Sequence, residues 1–114
     1  MIIDTSVLDA YRDFMEEDAD DFIQEILDEF FENSKTLLAK LSNSPSENEM
    51  EGFVRAAHTL KSTSATVGAT KLSELAATLE EKGKEKALAD IPSLLSLLPK
   101  AYAEAETELK KIYS

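Results

Sequence analysis

The side chain best suited to covalent chemistry is His58, the only histidine among 114 residues. It stands in the run Arg55-Ala56-Ala57-His58-Thr59-Leu60-Lys61-Ser62-Thr63-Ser64-Ala65-Thr66-Val67-Gly68-Ala69. An unperturbed imidazole titrates at about 6.5, so at neutral pH it offers a bare ring nitrogen that takes up a phosphoryl group without a separate base. On a helix, Lys61, Ser62 and Ala65 follow His58 by three, four and seven positions and share its patch of surface. Ser62 and Ala65 leave room for an incoming group, and Lys61 brings a positive charge toward it. From Phe53 to Ser73 the chain carries three cations, Arg55, Lys61 and Lys71, and no carboxylate, so an added anion meets no repulsion from its own segment. A lone histidine more often packs or hydrogen-bonds than reacts; the cation and the small residues set in one frame distinguish this one. The hydroxyls between residues 59 and 66 lack a second base and read as small packing residues.

Helices must hold this patch. Val7, Leu8, Tyr11, Phe14 and Met15 recur at helical spacing, with Thr5 or Ser6 as cap and the acidic run Glu16 to Asp18 as the end of a short first helix. Phe22, Ile23, Ile26, Leu27, Phe30, Phe31, Ser34, Leu37, Leu38 and Leu41 form one wide stripe, which predicts a long core helix over Ala19 to Ser42. Asp20 and Asp21 suit its positive end and Lys40 the other. Ser44, Pro45 and Glu47 resemble a start signal for a third helix. Its inward face runs Met50, Phe53, Val54, Ala57, Leu60, Ser64 and Val67, which places His58 on the flank, able to reach solvent. Gly68 is a left-handed stop, and a fourth helix with Leu72, Leu75, Ala76 and Leu79 inward extends to Gly83. From Ile91 to Tyr113 the stripe Leu94/Leu95, Leu98, Tyr102, Ala105, Leu109, Ile112 keeps its phase across Pro99, predicting one kinked helix. The fold class that follows is all-α: one domain over residues 1–114, an antiparallel four-helix bundle with a short additional N-terminal helix.

Composition narrows the function classes. A chain of this size buries about 65% of its unfolded surface, enough for a core without cross-links. There is no cysteine, which removes disulfides and thiolate chemistry, and one histidine makes no histidine-rich metal site. Net charge is -11, contrary to what a nucleic-acid backbone requires of its partner. Fifteen acids and three bases precede Phe53, whereas eight acids and nine bases follow from it. Glu16 to Asp21 lacks the alternating ligands and glycine of a calcium loop and reads as a solvated turn. No apolar run approaches a membrane span, and Met1-Ile2-Ile3-Asp4 lacks the basic start of a signal peptide, so the expected location is cytoplasmic, with no membrane partner.

His58-Thr59-Leu60-Lys61, the small residues Ser62, Ser64 and Ala65, and then Gly68-Ala69 resemble the signature of histidine-containing phosphotransfer (HPt) domains; Arg55-Ala56-Ala57 before it and Leu72, Leu75 and Leu79-Glu80 after it also fit. The resemblance covers the long helix through the fourth, and the last helix suits the family's bundle. It implies that His58 accepts phosphoryl from an aspartyl phosphate of a response-regulator receiver domain and passes it to another receiver, with Lys61 as the lysine beside it. Partners would be receiver domains and a hybrid sensor histidine kinase. Mg²⁺ would belong to the receiver, leaving this chain without a cofactor, a non-enzymatic phosphocarrier and a monomer. Ser62 departs from the pattern, which has glycine after the lysine. Ser62, Ala65 and Gly68 would form the small-residue surface for approach. Leu8, Tyr11 and Met15 share one face of the first helix, extended by Phe22, and serve either as a docking face for the receiver or as a cap on the bundle core. The absence of a phosphate-cradling glycine loop speaks against ATP binding. Two alternatives stand: a helical adaptor in which His58 is incidental, and the phosphoacceptor module of a chemotaxis-type kinase, against which the lack of a linker after the last helix is expected to count.

Overall fold

The structure, a computed structural model, describes residues 2–113. Six α-helices follow in order: α1 (Thr5–Met15), α2 (Ala19–Lys40), α3 (Met50–Thr66), α4 (Thr70–Lys84), α5 (Ile91–Leu95) and α6 (Leu98–Tyr113), with 3-10 turns at Glu16–Asp18 and Glu47–Glu49. Among the described residues there is no strand. Helices α2, α3, α4 and α6 form the bundle, each lying against its neighbours in that cyclic order, and α1 lies along α2. The expected stripes are the buried ones: Ile23, Leu27, Phe30 and Leu37 from α2, Phe53, Ala57 and Leu60 from α3, Leu72, Ala76 and Leu79 from α4, and Leu98, Ala105 and Leu109 from α6.

Local chemistry adjusts the boundaries. Asp4, not Thr5 or Ser6, caps α1: its Oδ1 accepts the Ser6 N–H at 3.0 Å and the Ser6 hydroxyl at 2.6 Å. These bonds hold the Asp4 carboxyl below the usual range. The start expected at Ser44-Pro45-Glu47 moves two residues on. Pro45 is buried in non-helical chain, and Glu49 accepts the Ser46 N–H at 3.0 Å, closing a capping box ahead of α3.

Gly68 ends α3 with φ 77°, as its left-handed cap position requires, and its carbonyl accepts the Asp4 N–H at 2.6 Å. The chain before α1 is thereby tied to the turn between α3 and α4. Gly83 does not stop α4, which continues to Lys84. Its missing side chain instead lets α4 approach α3, since a Cβ there would stand 2.7 Å from Val54 Cγ2 and 3.1 Å from Phe53 Cδ1.

The single kinked helix over Ile91 to Tyr113 is divided in two. Ser96 and Leu97 form a turn between α5 and α6, and Pro99 occupies the first turn of α6, where its missing N–H leaves no bond unmade. Bonds from Ser96 N to Pro92 O and from Ala101 N to Leu97 O, both 3.1 Å, carry the helical sense across the break, so the apolar phase survives. At the end of the stripe, Ile112 turns outward and Tyr113 takes the buried place.

Candidate functional site

His58 sits about 100° round α3 from buried Ala57, and its side chain is 58% exposed. Its Nδ1 lies 2.7 Å from Glu80 Oε2, contributed by α4. Lys61 Nζ donates to the other oxygen, Glu80 Oε1, at 2.6 Å, and Lys84 Nζ stands 3.5 Å from Oε2. The Glu80 side chain is only 7% exposed, so a nearly buried carboxylate is shared among the imidazole and two ammonium groups. The hydrogen bond from Lys61 outweighs burial and, with the His58 bond and the charges of Lys61 and Lys84, lowers the Glu80 carboxyl to about 2.

An ionised carboxylate only accepts hydrogen bonds. The Nδ1 facing Glu80 therefore carries the proton, and in the neutral ring Nε2 keeps its lone pair on the exposed edge. Glu80 thus selects the tautomer and fixes the ring. In the sequence, Glu80 fits the family pattern but carries no assigned task. Its place four after Ala76 and eight after Leu72, on the inward stripe, is the signal for burial, and only the close approach of α4 to α3 brings it under His58.

The remaining expected site residues divide. Ser62 and Ala65 are exposed on the His58 face. Gly68 is not part of that surface: it is buried beneath Asp4, and its smallness serves the turn. Lys61 is half-buried and bonded to Glu80. Of the proposed docking face, Leu8 is fully buried and belongs to the core. Tyr11 and Phe22 are half-buried and make a tilted ring contact, centroids 5.2 Å apart at 59°, and Met15 is half-buried. The apolar side chain that α1 does present is Phe14, 88% exposed, beside Val7, Ala10 and Tyr11. Between α2 and α3 runs a groove of about 200 Å³ lined by Ile26, Phe30, Asn33, Thr63, Thr66 and Val67.

Fold and site together define a class: a small helical bundle with one oriented imidazole open to solvent. The model of the Hpt domain matches residues 25–108, and the chain belongs to the Hpt domain family. Its role is phosphotransfer in two-component phosphorelay signalling, where Hpt domains meet response-regulator receiver domains and histidine kinases. The fold resembles that in the crystal structure of histidine-containing phosphotransfer protein B (HptB) from Pseudomonas aeruginosa PAO1, with a TM-score of 0.82 over 98% of this chain and 94% of that chain at 23% sequence identity. No curated protein matches the chain in sequence. Among the described residues no helix is long and apolar enough to cross a membrane.

Proposed function

We propose that His58 is the phosphoacceptor. The observation that carries this is the buried Glu80 carboxylate 2.7 Å from Nδ1 of a ring otherwise open to solvent. Nε2 directs its lone pair at the phosphorus of a receiver's aspartyl phosphate. The N–P bond forms as the P–O bond to the aspartate breaks, and the carboxylate departs with that electron pair. The Nδ1 proton stays in place, and the positive charge that develops on the ring faces Glu80. Transfer onward to a second receiver reverses these steps.

Lys61 works through Glu80 as a positioning residue, balancing the carboxylate that holds the ring. A half-exposed contact of this kind is worth about 0.5 to 1 kcal/mol, so Lys61→Ala slows transfer or shortens the phosphohistidine lifetime several-fold without abolishing either. The chain acts as a monomeric carrier with no catalytic activity of its own, and Mg²⁺ belongs with the receiver. Docking extends from His58 over Ser62 and Ala65, along the α2–α3 groove past Ile26 to Phe22, Tyr11 and the exposed Phe14. The test is incubation with a panel of phosphorylated receiver domains. The wild type gains an acid-labile, alkali-stable phosphoryl group; His58→Gln gains none. Labelling of His58→Gln, or no labelling of the wild type by any receiver, rejects the assignment.

A further inference from the structure

The face of α3 around His58 holds fewer available donors than its composition implies. Arg55 is paired with Glu51 at 3.2 Å, and Lys61 with Glu80 at 2.6 Å. Three hydroxyls of α3 are turned back on their own helix: Thr59 donates to Arg55 O at 3.0 Å, Thr63 to Leu60 O at 3.3 Å and Thr66 to Ser62 O at 3.0 Å. Ser64 is buried. Ser62 is exposed, and its hydroxyl makes no such bond among the described residues.

Position matters as much as availability. Lys61 lies about 60° round the helix from His58 on the side of α4, and Ser62 lies about 40° round on the opposite side. Because Glu80 draws Nδ1 toward α4, Nε2 is carried on the far edge of the ring, toward the Ser62 flank. Helical side chains lean toward the N-terminus, so Ser62 leans over the turn that holds His58. We propose that Ser62 Oγ donates a hydrogen bond to the phosphoryl group on His58 Nε2, making it a phosphoryl-contacting residue of the carrier. The contact rests on His58 being the phosphoacceptor.

A hydroxyl facing a phosphoryl oxygen favours the dianion and the intact N–P bond. The test loads the protein with phosphoramidate, from which ammonia leaves as Nε2 takes the phosphoryl group, so no receiver is needed. Hydrolysis of phospho-His58 and the ³¹P resonance are then followed against pH. In Ser62→Ala and Ser62→Gly, which differ in size but both lack the hydroxyl, the phosphohistidine half-life falls about three- to tenfold, and the phosphoryl titration moves to higher pH in both. Wild-type half-life and titration in both variants overturn the Ser62 contact while His58 remains the acceptor. If phosphoramidate leaves wild-type His58 unlabelled, the acceptor assignment and the contact fall together.

Discussion

Glu80 decides the chemistry at the scale of single residues, and it leaves a signature in acid. A carboxyl lowered from 4.5 to about 2 stabilises the fold fully above its unfolded value, and the contribution is lost as pH falls from about 4.5 toward about 2. With partly solvated partners the contribution is about 2 kcal/mol. Glu80→Gln accordingly lowers the melting temperature at pH 7 and flattens its dependence on pH between about 5 and 2; a variant that retained the wild-type slope would assign the acid response elsewhere. Glutamine still offers an acceptor oxygen to Nδ1–H but no charge. Phosphoryl uptake is therefore expected to slow about tenfold, not vanish. His58→Gln removes a ring that is mostly solvated, so its melting temperature stays near that of the wild type. A large loss there would return His58 to a packing role.

At the scale of helices and turns, the two glycines α4 depends on answer differently to one methyl group. At Gly68 the backbone is left-handed, and a Cβ would overlap the carbonyl oxygen of Asp4, which belongs to the main chain and cannot swing aside. Gly68→Ala costs more than about 2 kcal/mol. At Gly83 a Cβ would stand 2.7 Å from Val54 Cγ2 and 3.1 Å from Phe53 Cδ1, and a β-branched valine is stiff at χ1, so α4 must ease away from α3, which outweighs the gain of about 1 kcal/mol in helix propensity. Gly83→Ala is expected to cost about 1 to 2 kcal/mol by denaturant unfolding, less than Gly68→Ala because the atoms it meets belong to side chains. On α1 the same contrast separates core from docking surface. Leu8→Ala costs about 2 to 4 kcal/mol, whereas Phe14→Ala leaves stability unchanged and weakens receiver binding; unaltered binding would remove α1 from the interface. The long stripes are legible because burial follows the 3.6-residue period, and the same period gives the exposed place of His58 on the flank of α3. The sequence leaves Leu8 between docking face and core because α1 has two apolar sides and its period cannot say which one meets α2; its full burial assigns it to the core. Gly68 was misplaced because sequence spacing does not show that Asp4 folds over it. The division at Ser96-Leu97 was hidden because two backbone bonds preserve the phase across it.

The whole molecule is a rod of 49 × 21 × 19 Å with its acids concentrated toward one half of the chain. On the outer face of α2, Asp21, Glu25, Asp28 and Glu32 recur at helical spacing, and no ion pair of theirs occurs among the described residues. Self-repulsion of this kind is screened when the Debye length falls from about 30 Å at 0.01 M salt to about 8 Å at 0.15 M. The melting temperature should rise by about 4 °C over that range; a fall would show that the ion pairs outweigh the repulsion. One further contact joins the two extremes of the fold. Tyr113, in the last turn of α6, holds its hydroxyl 3.4 Å from both Thr5 O and Asp9 Oδ1, while its carbonyl accepts the Gln24 amide, and burial together with Asp9 pushes its phenol up to about 12. The start of α1 and the end of α6 therefore lie side by side, and the order in which the chain visits the bundle is separable from the bundle itself. A circular permutant with a flexible bridge between these ends and new termini at exposed Lys86 should keep the His58–Glu80 pair and the phosphoryl uptake proposed for it.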